Sequence, residues 1–296
     1  MTCPQTCSDM LGGVSDVLPL LETYYDTAPR AHARTEEVGP FTLFLKQGDG
    51  WDYYARPRLG STGEVTAADV DAVRARQREL GVAENLEWVH ETTPSLLGAV
   101  TASGPPDHPV LSVAHCPLLV LPADPSRFAG PGRRVDGDVT ARVRTVGLDD
   151  DLDLVFGVIH AGFEGTDAAT PRVSTRQVAM VREGLLSVVA AFDAHGNVVG
   201  GGSHGPRDGT SELTGISVLP RARRRGLGAA ITAALVEDAH ERGVETVFLS
   251  AQDDTVARVY ERVGFVRVGT ACIAEPSSGT SSTLVAVRTN SYDVDS

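Results

Sequence analysis

One stretch constrains this chain more than any other: Val218-Leu-Pro-Arg-Ala-Arg-Arg-Arg-Gly-Leu-Gly228. It reads as a strand end, a turn fixed by Pro220, and glycines that open a helix. Leu227, Ile231, Ala234, Leu235 and Ala239 recur at helical spacing, and Gly243 stands where a C-terminal cap belongs. Such a helix start attracts anions. Its first N–H groups lack intrahelical acceptors, the dipole places partial positive charge there, and Gly226 and Gly228 let a ligand approach the bare backbone. Arg223, Arg224 and Arg225 add guanidinium forks suited to phosphate. The bland alternative is tight packing by the glycines and a solvated basic face. The spacing is not that of the dinucleotide or Walker fingerprints, which need a third glycine or a Gly-Lys-Ser/Thr ending.

The neighbouring sequence supplies a mixed α/β frame. Val139–Val146 alternates as a strand, Asp150–Phe163 has helical periodicity, and Ser174 caps a helix running to Leu186. Ser187–Asp193 and Val198–Ser203 read as strands about a His195-Gly196-Asn197 turn, and Glu212–Leu219 as a third. After the arginine-rich turn and its helix come a strand at Glu245–Ser250, a helix at Asp254–Val263 ended by Gly264, a strand at Phe265–Gly269, and a last one at Ser282–Arg288.

Between Ala123 and Asp138 the sequence is dense in Pro, Gly and charge, without apolar periodicity, and reads as a linker. It divides the 296 residues into a first domain at 1–125, a linker at 126–137 and a second domain at 138–296. The first half gives a weaker echo of the same order. Phe41–Leu45 and Trp51–Ala55 form a hairpin around Gly48-Asp49-Gly50; Thr66–Leu80 is a capped helix, Leu86–Val89 a strand, Pro94–Ala102 a helix and Pro117–Leu121 a strand.

A formal charge of -13, from 39 acidic and 26 basic side chains, opposes non-specific attraction to nucleic acid or anionic lipid. No run of 18 apolar residues occurs, so no membrane partner is expected. Cys3, Cys7, Cys116 and Cys272 are too scattered for a disulfide framework, and Cys3 and Cys7 lack a second pair for zinc. The expectation is a cytoplasmic, metal-free protein, monomeric or homodimeric.

Val-x-Pro-x-x-Arg-x-x-Gly-x-Gly resembles the acetyl-CoA motif of the GCN5-related N-acetyltransferases (GNAT). A second segment, Asp253–Phe265, resembles that family's Asn-x-x-Ala-x-x-Leu-Tyr-x-x-x-Gly-Phe helix, with Tyr260, Gly264 and Phe265 in register. The resemblance covers Val139–Arg288. It implies an α/β GNAT fold, a mixed and mostly antiparallel sheet flanked by helices, and acetyl-CoA or another short acyl-CoA as co-substrate. The backbone from Arg223 through Arg224, Arg225, Gly226 and Leu227 to Gly228 would hold the pyrophosphate, and Ile216, Ser217 and Val218 would pair with the pantetheine arm. Asp253 replaces the usual Asn, which puts one pantetheine hydrogen bond in doubt. The first half has no such motif, so the chain is similar to tandem acetyltransferases of the mycothiol synthase kind, with one competent and one worn domain.

Acyl transfer to an amine needs a neutral nucleophile, a stabilised oxyanion and a donor for the departing thiolate. By the resemblance, Tyr260 is the donor and Glu212, 11 residues before Arg223, the base; His204 and His160 are rivals for the base, and Cys272 for a covalent route. Direct transfer in a ternary complex to the amine of a small metabolite is expected. Transfer to a protein α-amine or lysine, and a non-catalytic acyl-CoA sensor, are the alternatives. Trp51, Tyr53, Tyr54 and Trp88 are candidates for walls of the acceptor cleft.

Overall fold

The computed structural model describes residues 14–48, 54–104, 110–122 and 142–277. The strand expected at Ser282–Arg288, the linker, the hairpin tip, and Trp51, Tyr53, Cys3 and Cys7 lie outside the described residues. The chain order is α1(Val14–Arg30), β1(Ala33–Val38), β2(Phe41–Lys46), β3(Ala55–Pro57), α2(Ala67–Leu80), β4(Leu86–Val89), α3(Ser95–Ala102), β5(Leu111–Val120) and β6(Arg142–Val146). It continues α4(Leu152–Glu164), α5(Thr175–Arg182), β7(Ser187–Phe192), β8(Val198–Arg207), β9(Thr210–Val218), α6(Leu227–Glu241), β10(Thr246–Ser250), α7(Asp254–Arg262) and β11(Val266–Pro276).

Among the described residues eleven strands form one sheet, ordered β1-β2-β3-β4-β11-β5-β10-β9-β8-β7-β6. Two pairs among the described residues are parallel, β3 with β4 across α2 and β9 with β10 across α6. The two halves of the sequence interleave at the centre of the sheet. β11, from the second half, lies between β4 and β5 of the first, and β5 pairs with β10 over Leu118–Val120. Each half thus contributes its last strand to the other half's edge.

Alternation along the strands explains the layers. Val189 and Ala191 of β7 join a core with Leu213, Leu235, Leu249 and Phe265 beneath α6 and α7. Val188 and Ala190, pointing the other way, pack with Phe156, Ile159 and Met180 of α4 and α5. α1 lies on the face opposite α6: Leu21, Tyr24 and Tyr25 pack on Leu118, Val120 and Phe248, whereas Leu119 and Val247 face α6.

α1 and β1 do not emerge from the sequence reading. Pro19 and Pro29 lie inside α1, but Val17, Leu18, Leu21, Tyr24, Tyr25 and Ala28 make a helical stripe whose burial outweighs the prolines. β11 runs on to Pro276, well past Gly269, because it has partners on both sides, and a shift of register at Arg267/Gly269 accommodates it. Trp88 is wholly buried with Phe41, Leu86 and Cys272 and is a core residue, not a cleft wall.

Candidate active site

The site begins where two parallel strands separate. β9 and β10 pair at Thr210/Thr246, Ser211/Val247 and Glu212/Phe248, and no further. β9 then bulges: its register against β8 shifts between Gly201 and Ser203, and Gly215 opposite the shift has φ +68°, a conformation glycine adopts without strain. Past Glu212, Leu213–Val218 have β8 on one side and a cleft on the other. The cleft has a volume of about 380 Å³. Its walls are Leu213–Val218, Leu249–Gln252 of β10, Gly162 and Phe163 at the end of α4, Val256 and Tyr260 of α7, and Arg223.

At one end of the cleft stands the start of α6. A single 3-10 turn, Pro220–Ala222, leads into it. Arg224 has φ +61° and Gly226 φ +76°, so the chain enters the left-handed region twice just before the helix. No side chain caps α6, and Arg223, Arg224, Arg225 and Gly226 are exposed while Leu227 is buried in the core. A Cβ added to Gly228 would meet nothing within 4 Å, so tight protein packing does not explain that glycine. The corresponding crossover helix of the first half, α2, is closed instead. Thr66 accepts from Asp69 N–H, and the Asp69 carboxylate accepts from Thr66 N–H at 2.9 Å, which puts a carboxylate where an anion would sit.

The residues expected from sequence fall into several groups. Ile216, Ser217, Val218, Arg223 and Tyr260 border the cleft. Two of them also serve as ties: Ser217 Oγ donates to Ile159 O at 2.6 Å, and Arg223 donates to Val218 O at 3.0 Å and Gly162 O at 2.5 Å. The Arg223 fork is therefore engaged with carbonyls, leaving Arg224 and Arg225 as the exposed guanidinium groups of the turn. Asp253 caps α7, accepting from Val256 N–H at 2.8 Å, and stands outside the cleft lining. Gly162, Phe163, Ser250 and Gln252 were missed, since they come from elements whose approach only the tertiary fold decides.

Tyr260 packs edge-on against Phe265 at 6.1 Å, and burial pushes its phenol up to about 12, so the hydroxyl keeps its proton. Glu212 lies just below the cleft floor, on the face opposite Leu213, and does not line the cleft itself. It is buried, accepts from Tyr25 Oη at 3.4 Å, and burial pushes its carboxyl up to about 8, with Arg56 and the Tyr25 bond opposing the rise. His204 is wholly buried, 2.9 Å from Ser211 Oγ and 2.8 Å from Asp238 Oδ2, and His160 pairs with Glu164 at 2.9 Å; neither borders the cleft. Cys272 packs in the first half's core, and burial pushes its thiol up to about 12, which removes it as a nucleophile near the thioester.

Parted parallel strands beside an uncapped helix start thus make a cleft with an anion-attracting end. Residues 163–265 match the family model of the acetyltransferase (GNAT) family. That segment, which carries the cleft walls from Phe163 to Tyr260 and the start of α6, is a GNAT acetyltransferase domain. Comparison with curated protein sequences gave no significant match. Among solved structures, a GCN5-related N-acetyltransferase from Kribbella flavida is 21% identical with TM-score 0.68, covering 88% of this chain and 96% of that one. A conserved protein of unknown function from Staphylococcus epidermidis is 15% identical with TM-score 0.54, covering 86% and 96%. A GCN5-related N-acetyltransferase-like protein from Streptococcus suis is 13% identical with TM-score 0.51, covering 90% and 100%. These likenesses show that the fold spans nearly the whole chain. Among the described residues no group of side chains is suited to a metal, and no helix is long and apolar enough to cross a membrane.

Proposed function

We propose that the protein transfers an acetyl or other short acyl group from acyl-CoA to the amine of a small metabolite, by direct attack in a ternary complex. The carrying observation is the contrast between two helix starts: α6 is uncapped, glycine-opened and flanked by exposed Arg224 and Arg225, whereas α2 is self-capped by Asp69. On this reading residues 138–296 form the competent domain, and residues 1–125 a worn copy that walls the acceptor side. The pyrophosphate sits on the N–H groups from Arg224 to Gly228, and the pantetheine amides pair with the free edge of Ile216–Val218.

The chemistry then follows from position. Glu212 takes the proton that the ammonium group of the acceptor must lose, and the neutral amine attacks the thioester carbonyl. A backbone N–H at the end of β9 holds the oxyanion. As the tetrahedral intermediate collapses, the C–S bond breaks, Tyr260 gives its phenolic proton to the departing sulfur, and the phenolate takes up the second proton shed by nitrogen, so that CoA leaves as the thiol. Thr214 and Ser250 follow Glu212 and Phe248 on the same face by strand alternation and border the cleft. Ser250 Oγ is buried and bonds to no protein group among the described residues, which suits a proton path to Glu212. A small acceptor is favoured over a peptide because α1 closes the sheet face beside Glu212.

The test is acetyl-CoA with a panel of amino acids, amino sugars, polyamines and peptides bearing a free α-amine or lysine, read as thiol release and acetylated product. Turnover of a small amine supports the reading. Turnover of peptides alone would move the substrate class to proteins, and saturable CoA binding without any turnover would make the protein a sensor.

A further inference from the structure

The second half does not hold Glu212 alone. Two side chains of the first half act on that carboxylate, Tyr25 of α1 by a hydrogen bond and Arg56 of β3 by charge, and Arg56 is itself held by Glu22 of α1 and Glu87 of β4. Its direct register partners on the neighbouring strands of the second half carry no charge. Its partner across β8 is Gly205, and across β10 it is Phe248.

α1 is docked at this point by two adjacent tyrosines. Tyr24 Oη donates to Gly205 O at 2.8 Å, and Tyr25 Oη donates to Glu212 Oε1 at 3.4 Å. Both rings stand edge-on to Phe248, at 5.1 and 5.4 Å. The Tyr25 ring is fixed from its other side by the Arg56 guanidinium, 4.2 Å from the ring centre, an attraction of cation to π face. Arg56 is buried and held in turn by Glu87 at 3.1 Å and Glu22 at 3.3 Å. Glu22, Glu87, Arg56, Tyr25 and Glu212 thus form a chain of contacts from the first half to the cleft floor.

We infer that Tyr25, held by Arg56, is a positioning residue for Glu212, so that the transfer site is completed by the half that lacks the phosphate-binding turn. The inference deepens the proposed function and rests on Glu212 being the base. Phenol and guanidinium both favour the ionised carboxylate, one by hydrogen bonding and the other by charge, against the burial that opposes it. The first half then contributes through the reactivity of the base as well as through shape.

The experiment uses the full chain labelled with carboxyl-13C glutamate, the Glu212 signal being identified by its loss in Glu212→Gln. Titration of Tyr25→Phe, which keeps both ring contacts, is expected to shift the Glu212 midpoint upward by roughly half a pH unit. Arg56→Gln is expected to shift it in the same direction; should that variant not fold, Tyr25→Phe carries the test. The acid limb of thiol release from acetyl-CoA, with the panel amine turned over fastest, should move with the midpoint. An unmoved midpoint in Tyr25→Phe overturns the inference, as does a moved midpoint with an unmoved acid limb. Full activity of Glu212→Gln would overturn the base assignment itself, a separate result.

Discussion

Glu212 and Phe248 are the last residues paired between β9 and β10, and the very next pair, Leu213 and Leu249, already borders the cleft. The closing of the parallel ladder therefore fixes where the cleft stops, which on the proposed reading is where the thioester reacts, and it puts a carboxylate on the far side of that floor. Placement by backbone pairing is rigid, which catalysis by orientation requires.

Tyr260→Phe is expected to lower turnover about a hundredfold, in the range for losing one proton-donating group. The ring keeps its edge contact with Phe265, so acetyl-CoA affinity and melting temperature should stay unchanged. Steady-state kinetics with parallel calorimetry checks this; unchanged turnover would strip Tyr260 of its role.

The two glycines of the turn should fail differently. Gly226 needs φ +76°, so Gly226→Ala costs about 1 kcal/mol of stability or more. Gly228 has open space and no such φ, so Gly228→Glu leaves the fold intact and abolishes CoA binding by steric and charge conflict with the diphosphate. Denaturant melts and CoA titration of both variants separate these effects.

The pH dependence follows from Glu212. As a base with its carboxyl pushed up to about 8, it makes turnover rise with pH until about that value and then level off, and Glu212→Gln flattens and lowers the curve. Stability runs the opposite way. A carboxyl raised in the folded state contributes fully below its unfolded value, and that contribution is lost as pH climbs through the folded one. The unfolding free energy of Glu212→Gln, measured by urea melts, should therefore gain on wild type between pH 5 and pH 9, by on the order of a few kcal/mol.

Asp238 gathers His204, Ser187 and Arg242 at 2.6 to 2.8 Å beneath α6, away from the cleft. Burial alone would raise its carboxyl, but these hydrogen bonds outweigh that and hold it below the usual range. Its stabilisation is present above the unfolded value and is lost as pH falls through the folded one. Asp238→Asn should cost about 3 kcal/mol at neutral pH, measured by urea melts, without changing CoA affinity.

Much of the second half was legible because its signals are local. Pro220, Gly226 and Gly228 mark the turn, and Gly243 and Gly264 follow the helices they end. The residues that complete the site were less so. Tyr25 meets Glu212 across 187 positions of sequence, and α1 is obscured by its two prolines. The exchange of β5 and β11 likewise has no local mark, since strand order depends on pairing energies between distant segments. Asp253 illustrates a residue doing double duty as a motif position and a helix cap, where only geometry shows that its carboxylate is already engaged.

Isothermal titration of the full chain with acetyl-CoA tests the central claim most directly. The account predicts one saturable site per chain, weakened as salt rises because exposed arginines and helix amides hold a diphosphate, and absent in Gly228→Glu. Binding of equal strength in that variant, or no heat of association with the wild-type protein at millimolar acetyl-CoA, would contradict it.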